Sequence, residues 1–214
     1  MATILNLGAG KQLPLNMDPR NTFVVNVDKS YGSDTGLAQL TTEYRKWTEP
    51  ETIHGELKGG DPSKFRGNMI MYIGMDAAEF IERFPFKFDM ICAYRFMEHI
   101  KYSDLSYVIY LMSTALHMGG ILDIIVPDYD ELARMLLDED VNNPKFEYNN
   151  IVLTTEMLNE PNDPHASIWT EQRAVKYLEH EGRFRITSRV FKFRFDERNI
   201  YMRLQAKRVE ASPE

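Results

Sequence analysis

The sequence predicts an α/β protein: a doubly wound, mostly parallel sheet finished by a C-terminal antiparallel hairpin. Three observations carry that expectation. Short apolar, β-branched runs recur between residues 3 and 126 and alternate with helix-period segments, the pattern of a parallel sheet with helices on its faces. The first run ends on Gly8-Ala9-Gly10 and the second on Asp28, placing small and acidic residues at strand carboxyl ends, where open α/β sheets receive ligands. Two alternating runs, 184–195 and 199–207, flank Asp196-Glu197-Arg198-Asn199, which reads as a long hairpin.

The elements follow in order. TILNLG (3–8) and TFVVNVD (22–28) are the first two strands. Residues 31–68 are polar, with Gly59, Gly60 and Pro62, and only 39–48 looks helical. MIMYIG (69–74) is the third strand, DAAEFIER (76–83) a short helix with Asp76 at its start, and FDMICA (88–93) the fourth strand. Ser103 or Asp104 is positioned to cap a helix running to His117, with Leu105, Val108, Ile109, Met112 and Leu116 as its apolar stripe and Gly119-Gly120 as its stop. ILDIIV (121–126) is the fifth strand, and a helix follows from about 129 to 138. Residues 139–168 are loop-rich, and Thr170 starts a helix that Gly182 ends. The whole reads as a single domain over 1–214, with insert-like segments at 31–68 and 139–168.

Composition narrows the classes. The single cysteine, Cys92, excludes an internal disulfide framework and a cysteine-based zinc site. The longest apolar run is interrupted at Asp123, and a strand pattern begins by Thr3 instead of a signal peptide. A cytoplasmic protein with no membrane partner is expected. Net charge is −7, but 183–208 holds nine Lys or Arg against two acids, a net +7, so the remainder carries −14. That basic hairpin either meets an anionic partner or guards exposed strand edges; the second reading is the stronger.

The first glycine loop carries the chemistry. Gly8 and Gly10 allow close backbone approach to a ligand, and Asp28 can accept hydrogen bonds from both hydroxyls of a ribose. A dinucleotide would need a third glycine and a helix aimed at its pyrophosphate. Here that position is Leu13 followed by Pro14, and Gly10-Lys11 continues into Gln12, unlike a P-loop. A cofactor with adenosine and no phosphate fits better, and S-adenosylmethionine (SAM) is one. After the third strand, Gly74-Met75-Asp76-Ala77-Ala78 offers a carboxylate for an adenine amino group, a role compatible with helix capping.

Beyond these lie FDMICAYRFMEHI (88–100), LHMGGIL (116–122) and Val126-Pro127-Asp128. Together the ordered set resembles the class I SAM-dependent methyltransferases. It is similar to the methyltransferase type 11 group and, more closely, to predicted methyltransferases that begin LNLGxG and reach NVD through a short, proline-containing connection. VPDYDELARMLLDED and the segment His165–Phe184 share that likeness. The resemblance implies a Rossmann-like fold, with S-adenosylhomocysteine as the product of the cofactor. By position it implies that Asn6, Gly8, Ala9 and Gly10 border the methionine part of SAM. Asp28 and Lys29 would lie at the ribose, Met75, Asp76 and Ala77 at adenine, and Tyr94 and Arg95 beside the sulfonium and the acceptor. Asn6 departs from the wider class, which often has an acid there.

For the reaction, His99 is the first candidate base and His165, in the loop before Trp169, the second. The alternatives are a structural histidine and a surface loop residue. Asp128 reads as a helix cap, Cys92 as core, and His54, His117 and His180 as solvated. No metal is expected: HExxH and paired-histidine spacings are absent, and the acids around Glu98 form no coordination set along the chain. The expected activity is methyl transfer to a small molecule or glycan. A nucleic-acid acceptor is disfavoured by the acidic body and by Ala93-Tyr94-Arg95-Phe96 where amino-methylating enzymes carry a D/N/S-P-P-Y/F motif. A non-catalytic SAM-fold module is the remaining alternative. Nothing in the pattern fixes the oligomeric state.

Overall fold

The computed structural model describes residues 2–10, 13–15, 17, 21–29, 45–47, 69–137, 165–179, 182–193 and 201–210. Within them the strands are β1 (Ala2–Leu7), β2 (Thr22–Val27), β3 (Arg45–Trp47), β4 (Met69–Ile73), β5 (Phe88–Tyr94), β6 (Leu116–Pro127), β7 (Phe184–Phe193) and β8 (Tyr201–Arg208). The helices are α1 (Ala77–Arg83), α2 (Tyr102–Ala115), α3 (Tyr129–Leu137) and α4 (Glu171–Glu179), with a 3-10 turn over Met97–His99. The sheet runs β3-β4-β2-β1-β5-β6-β8-β7. Strands β3 to β6 pair in parallel, and β8 lies antiparallel between β6 and β7. The expected mostly parallel, doubly wound sheet with a C-terminal antiparallel pair is the observed one. The chain builds outward on one side through β1, β2 and β4, then returns to add β5 beside β1, so the reversal of strand order falls between β1 and β5.

Parallel strands buried on both faces read as near-continuous apolar runs, and β1, β2 and β5 are buried nearly throughout. Alternation assigns the faces. Leu5, Leu7, Val25, Ile91, Leu122 and Ile124 join one core with Phe80 of α1, Leu105 and Met112 of α2, and Leu178 of α4. Ile4, Val24, Cys92 and Ile125 face the other way, under Tyr129 and Leu132 of α3, with Leu15 and Met17 at the margin. Those two residues stand on the short connection between β1 and β2, where the sequence left no room for a long helix. No helix among the described residues is long and apolar enough to cross a membrane.

Four boundaries depart from the sequence reading. Helix α2 ends at Ala115, two residues before the expected His117, and β6 begins at Leu116, well before Ile121. Leu116 pairs with Phe88 and the register shifts before Met90 meets Ile121. Gly119 therefore lies inside the strand at φ +79°, where it serves a bulge and not a helix stop. The start of α2 is Lys101, with no side-chain cap; Ser103 donates to Asp104 instead, at 2.8 Å. Residues 45–47, placed in a helix by their pattern, pair with Met71–Ile73 as an edge strand, because the outer edge of β4 offers unpaired backbone groups. Cys92 is core as expected: it is fully buried, and burial foremost pushes its thiol up to about 12. The hairpin's turn (196–199), His54 and His180 lie outside the described residues, as do most of 31–68 and 139–164.

A charged group occupies the sheet interior. Asp123 of β6 is 0% exposed. Arg203 of β8 grips it with two bonds, Nε to Oδ1 at 3.0 Å and Nη2 to Oδ2 at 2.7 Å. Tyr94 donates its hydroxyl to Oδ2 at 2.9 Å and Gln205 adds a longer bond at 3.4 Å. A buried carboxylate is tolerable only when bonded this fully. Arg203→Met leaves the anion without its cation, and the expected loss of stability is about 3–5 kcal/mol. Arg203→Met with Asp123→Leu is expected to recover most of that loss in urea denaturation. A double variant as unstable as the single one would show that the pair's worth is packing instead of charge.

Candidate active site

Every loop leaving the carboxyl end of a parallel strand emerges on one edge, and that edge gathers the polar residues singled out above. The tip of β1 is wired to β2. Gly8 and Ala9 donate to the Val27 carbonyl at 2.9 and 3.5 Å, and Gly10 donates its amide to Asp28 Oδ2 at 2.8 Å. The Asp28 amide in turn reaches the Ile73 carbonyl of β4 at 3.1 Å. The aspartate twenty positions after Gly8 is thus fixed against the glycine turn that the sequence paired it with.

The two glycines differ. Gly8 has φ +60°, and a Cβ there would stand 2.6 Å from Phe96 Cδ2. Gly10 has φ +48°, and a Cβ there would meet nothing within 4 Å. So Gly8 is required by the chain's own aromatic ring, whereas Gly10 borders open space. Asn6 sits beneath this loop, 1% exposed, donating to Asn26 Oδ1 of β2 at 2.8 Å.

At the end of β4, Asp76 caps α1 by accepting from the Ala78 and Glu79 amides at 2.9 and 3.2 Å. Lys29 crosses to Asp76 Oδ2 at 2.7 Å. Burial pushes the Asp76 carboxyl up, but the Lys29 bond, the two amides and the Lys29 charge outweigh it and hold the group below its ordinary value. The Asp76 carboxylate is 41% exposed at this edge, Met75 packs against the core, and Ala77 is buried.

At the end of β5 the two neighbours part. Tyr94 turns into the sheet toward Asp123, and its hydroxyl is pushed far up, first by burial and then by Cys92 and Asp123. Arg95 takes a left-handed backbone, φ 51°, with its amide on the Ile125 carbonyl at 2.7 Å. That conformation costs a non-glycine residue about 1–2 kcal/mol, and such strain concentrates at functional sites. Its Nε is buried with no hydrogen-bond partner among the described residues.

The 3-10 turn follows, and there the structure joins residues distant in sequence. The segment 165–170 lies on this turn: Ala166 and Ser167 donate their amides to the Glu98 carbonyl at 2.7 and 2.9 Å, and Ser167 Oγ donates to the Met97 carbonyl at 3.0 Å. Trp169, 1% exposed, donates its indole N–H to Ser167 Oγ at 3.1 Å. His165 is thereby brought edge-on to His99, ring centroids 5.0 Å apart. Tyr129 Oη lies 2.9 Å from His165 Nδ1. Glu98 is 0% exposed beside them, and one potential ligand atom each from Glu98, His99 and His165 lie within 4.8 Å of one another. Along the chain the acids near Glu98 formed no coordination set; the third member arrives from the far side of α2, β6 and α3. Tyr129 escaped the sequence reading too, although its place two residues after the end of β6 puts it on this same edge. Asp128 caps α3 as expected, accepting from the Glu131 amide at 3.1 Å, and burial foremost pushes its carboxyl up.

Among the described residues of the basic hairpin, four cations have partners within the molecule. Arg203 serves Asp123, Arg189 pairs with Glu171 at 2.7 Å, Lys192 pairs with Glu131 at 2.8 Å, and Arg183 lies 4.7 Å over the Tyr110 ring.

No protein-family model matches the chain, and no curated protein matches its sequence. Solved structures do match over nearly all of it. A SAM-dependent methyltransferase of Methanosarcina mazei superposes with a TM-score of 0.57 at 14% identity, covering 97% of this chain and 92% of that one. The magnesium protoporphyrin IX methyltransferase of Synechocystis, solved with S-adenosylhomocysteine bound, gives a TM-score of 0.56 at 13% identity over 97% and 74% of the two chains. The 1,6-didemethyltoxoflavin-N1-methyltransferase of Burkholderia thailandensis, solved with 1,6-didemethyltoxoflavin and S-adenosylhomocysteine, gives 0.54 at 13% identity over 98% and 72%. The fold is that of the class I methyltransferases.

Gly8→Ala is expected to destabilise the chain by roughly 1–3 kcal/mol more than Gly10→Ala, because only the first adds an overpacking contact to the backbone penalty. In a Phe96→Ala background the two substitutions should cost the same in thermal unfolding. A persistent gap there would trace the Gly8 requirement to the backbone and not to Phe96.

Proposed function

We propose that the chain is a SAM-dependent methyltransferase whose acceptor is a small molecule or glycan. The observation that carries this reading is the bond from Gly10 to Asp28. It holds a carboxylate at the carboxyl ends of β1 and β2, beside a glycine whose missing side chain faces open space, within a class I methyltransferase fold. The residues present suit a phosphate-free nucleoside cofactor. Asp28 presents acceptor oxygen for ribose hydroxyls, and Asp76 with Ala77 closes the adenine end. Residues 13–15 and 17 form no helix whose dipole would select a diphosphate.

Within that assignment, Gly8, Ala9 and Gly10 let the methionine portion approach the backbone. Lys29 steadies Asp76. Met75 packs beneath the adenine end, and Asn6 supports the glycine loop from below through Asn26. Tyr94 would meet the ligand through its backbone alone, since its hydroxyl belongs to Asp123. Arg95, with its strained backbone and buried Nε, supplies positive charge at the acceptor side. SAM supplies a methyl group on a positive sulfur, so the protein's contribution is orientation and electrostatics. His99 and His165 are the acceptor-side pair, close enough together to act on one oxygen or nitrogen of the acceptor.

Calorimetry with SAM tests the reading. Asp28→Ala should weaken binding by roughly 1.5–3 kcal/mol, the scale for hydrogen bonds to a charged group. Unaltered affinity in a folded variant removes Asp28 from the site, and no binding by the parent chain removes the enzyme assignment. His99→Ala should keep SAM affinity and lower turnover by about 10²-fold or more. Full turnover in that variant would assign the histidine to structure.

A further inference from the structure

We propose that Glu98, His99 and His165 together bind one divalent transition-metal ion of the zinc class, with a coordination position left open toward the acceptor. Three different side chains offer ligand atoms within 4.8 Å of one another. Nitrogen and oxygen ligands at 2.0–2.2 Å around a tetrahedral ion stand about 3.4 Å apart, so a contraction of at most about 1.4 Å completes the set.

The surroundings are built as a metal site requires. Ligands must be held before the ion arrives, and the two amide bonds from Ala166 and Ser167 to the Glu98 carbonyl clamp the His165 segment to the turn that carries Glu98 and His99. A ligating histidine is oriented through its other ring nitrogen by a hydrogen-bonding partner. Tyr129 Oη stands 2.9 Å from His165 Nδ1 and is such a partner. Glu98 is fully buried, and a dication offsets the cost of burying its carboxylate.

The donor set selects the ion. Two imidazoles with one carboxylate suit Zn²⁺, Co²⁺, Ni²⁺ or Fe²⁺, whereas Mg²⁺ and Ca²⁺ prefer all-oxygen shells. Three protein ligands also mark a site that keeps a fourth position for water or substrate. With the ion bound, both histidines would be its ligands, and the ion would supply polarisation of an acceptor oxygen at the open position. That last assignment rests on the methyltransferase reading; the binding of the ion rests on the three side chains alone.

The test is a titration of the untagged full chain, stripped with a chelator, in the absence of SAM. Calorimetry with Zn²⁺ should show one ion per chain, and Co²⁺ should develop visible d–d absorption of a low-symmetry nitrogen–oxygen site. His165→Asn should weaken uptake at least tenfold, and Tyr129→Phe should weaken it by about tenfold by releasing the orienting bond. Glu98→Gln buries a new amide and is read only with its unfolding curve beside it. His165→Asn, on a surface segment, keeps the test decisive if Glu98→Gln fails to fold. Absence of one-to-one uptake of either ion, equal uptake by parent and His165→Asn, or a preference for Mg²⁺ would each overturn the proposal. SAM calorimetry on the same stripped chain reports separately on the methyltransferase reading, so the two stand or fall apart.

Discussion

The constraint that organises this molecule is direction. Strands β1, β2, β4, β5 and β6 run the same way, so each releases its chain on the same edge of the sheet. Residues spread from Gly8 to Asp128 have no alternative but to meet there. The reversal of strand order falls between β1 and β5, the place where open α/β sheets receive ligands. Given that framework, function needs only suitable residues at strand ends, and the chain places a glycine turn, two aspartates, an arginine and a histidine pair in those positions.

The interior follows a different rule. Both faces of the sheet are covered, so anything polar within it must be satisfied by the protein itself. The Asp123–Arg203–Tyr94 network meets that demand by joining β5, β6 and β8 across the change from parallel to antiparallel pairing. A salt bridge so placed contributes little net stability compared with apolar residues of the same volume. Its geometric effect is clearer: β8 carries both Arg203 and Gln205 to one carboxylate, and a slip of one residue would turn both side chains to the opposite face.

The sheet was legible because strand burial writes itself as apolar, β-branched runs, and its direction because helices interrupt those runs. The glycine turn was legible for a related reason: Gly8, Gly10 and Asp28 are tied by local loop geometry that tolerates few residue types. The helix-to-strand switch at Leu116 was not, since Leu116 continues the apolar stripe of α2 while its backbone pairs with β5. Residues 45–47 carry a helical pattern that edge pairing overrides. The histidine pair was only half visible. His99 and His165 could each be suspected, but their meeting depends on backbone amides of Ala166 and Ser167 reaching one carbonyl, and backbone donors carry no residue-type signature. Trp169 anchors that arrangement from within the core, where its sequence position resembles any buried aromatic.

Phe96 links the glycine loop to the turn that follows β5. Its ring fills the void left by the absent side chain of Gly8, while its own backbone leads directly into the turn bearing Glu98 and His99. The glycine loop and the histidine turn therefore share a mechanical joint, one aromatic plate seated in a glycine socket. A shift of the loop by a few tenths of an ångström must be taken up by that plate, since the seat has no slack, and the displacement reaches His99 within three residues of chain.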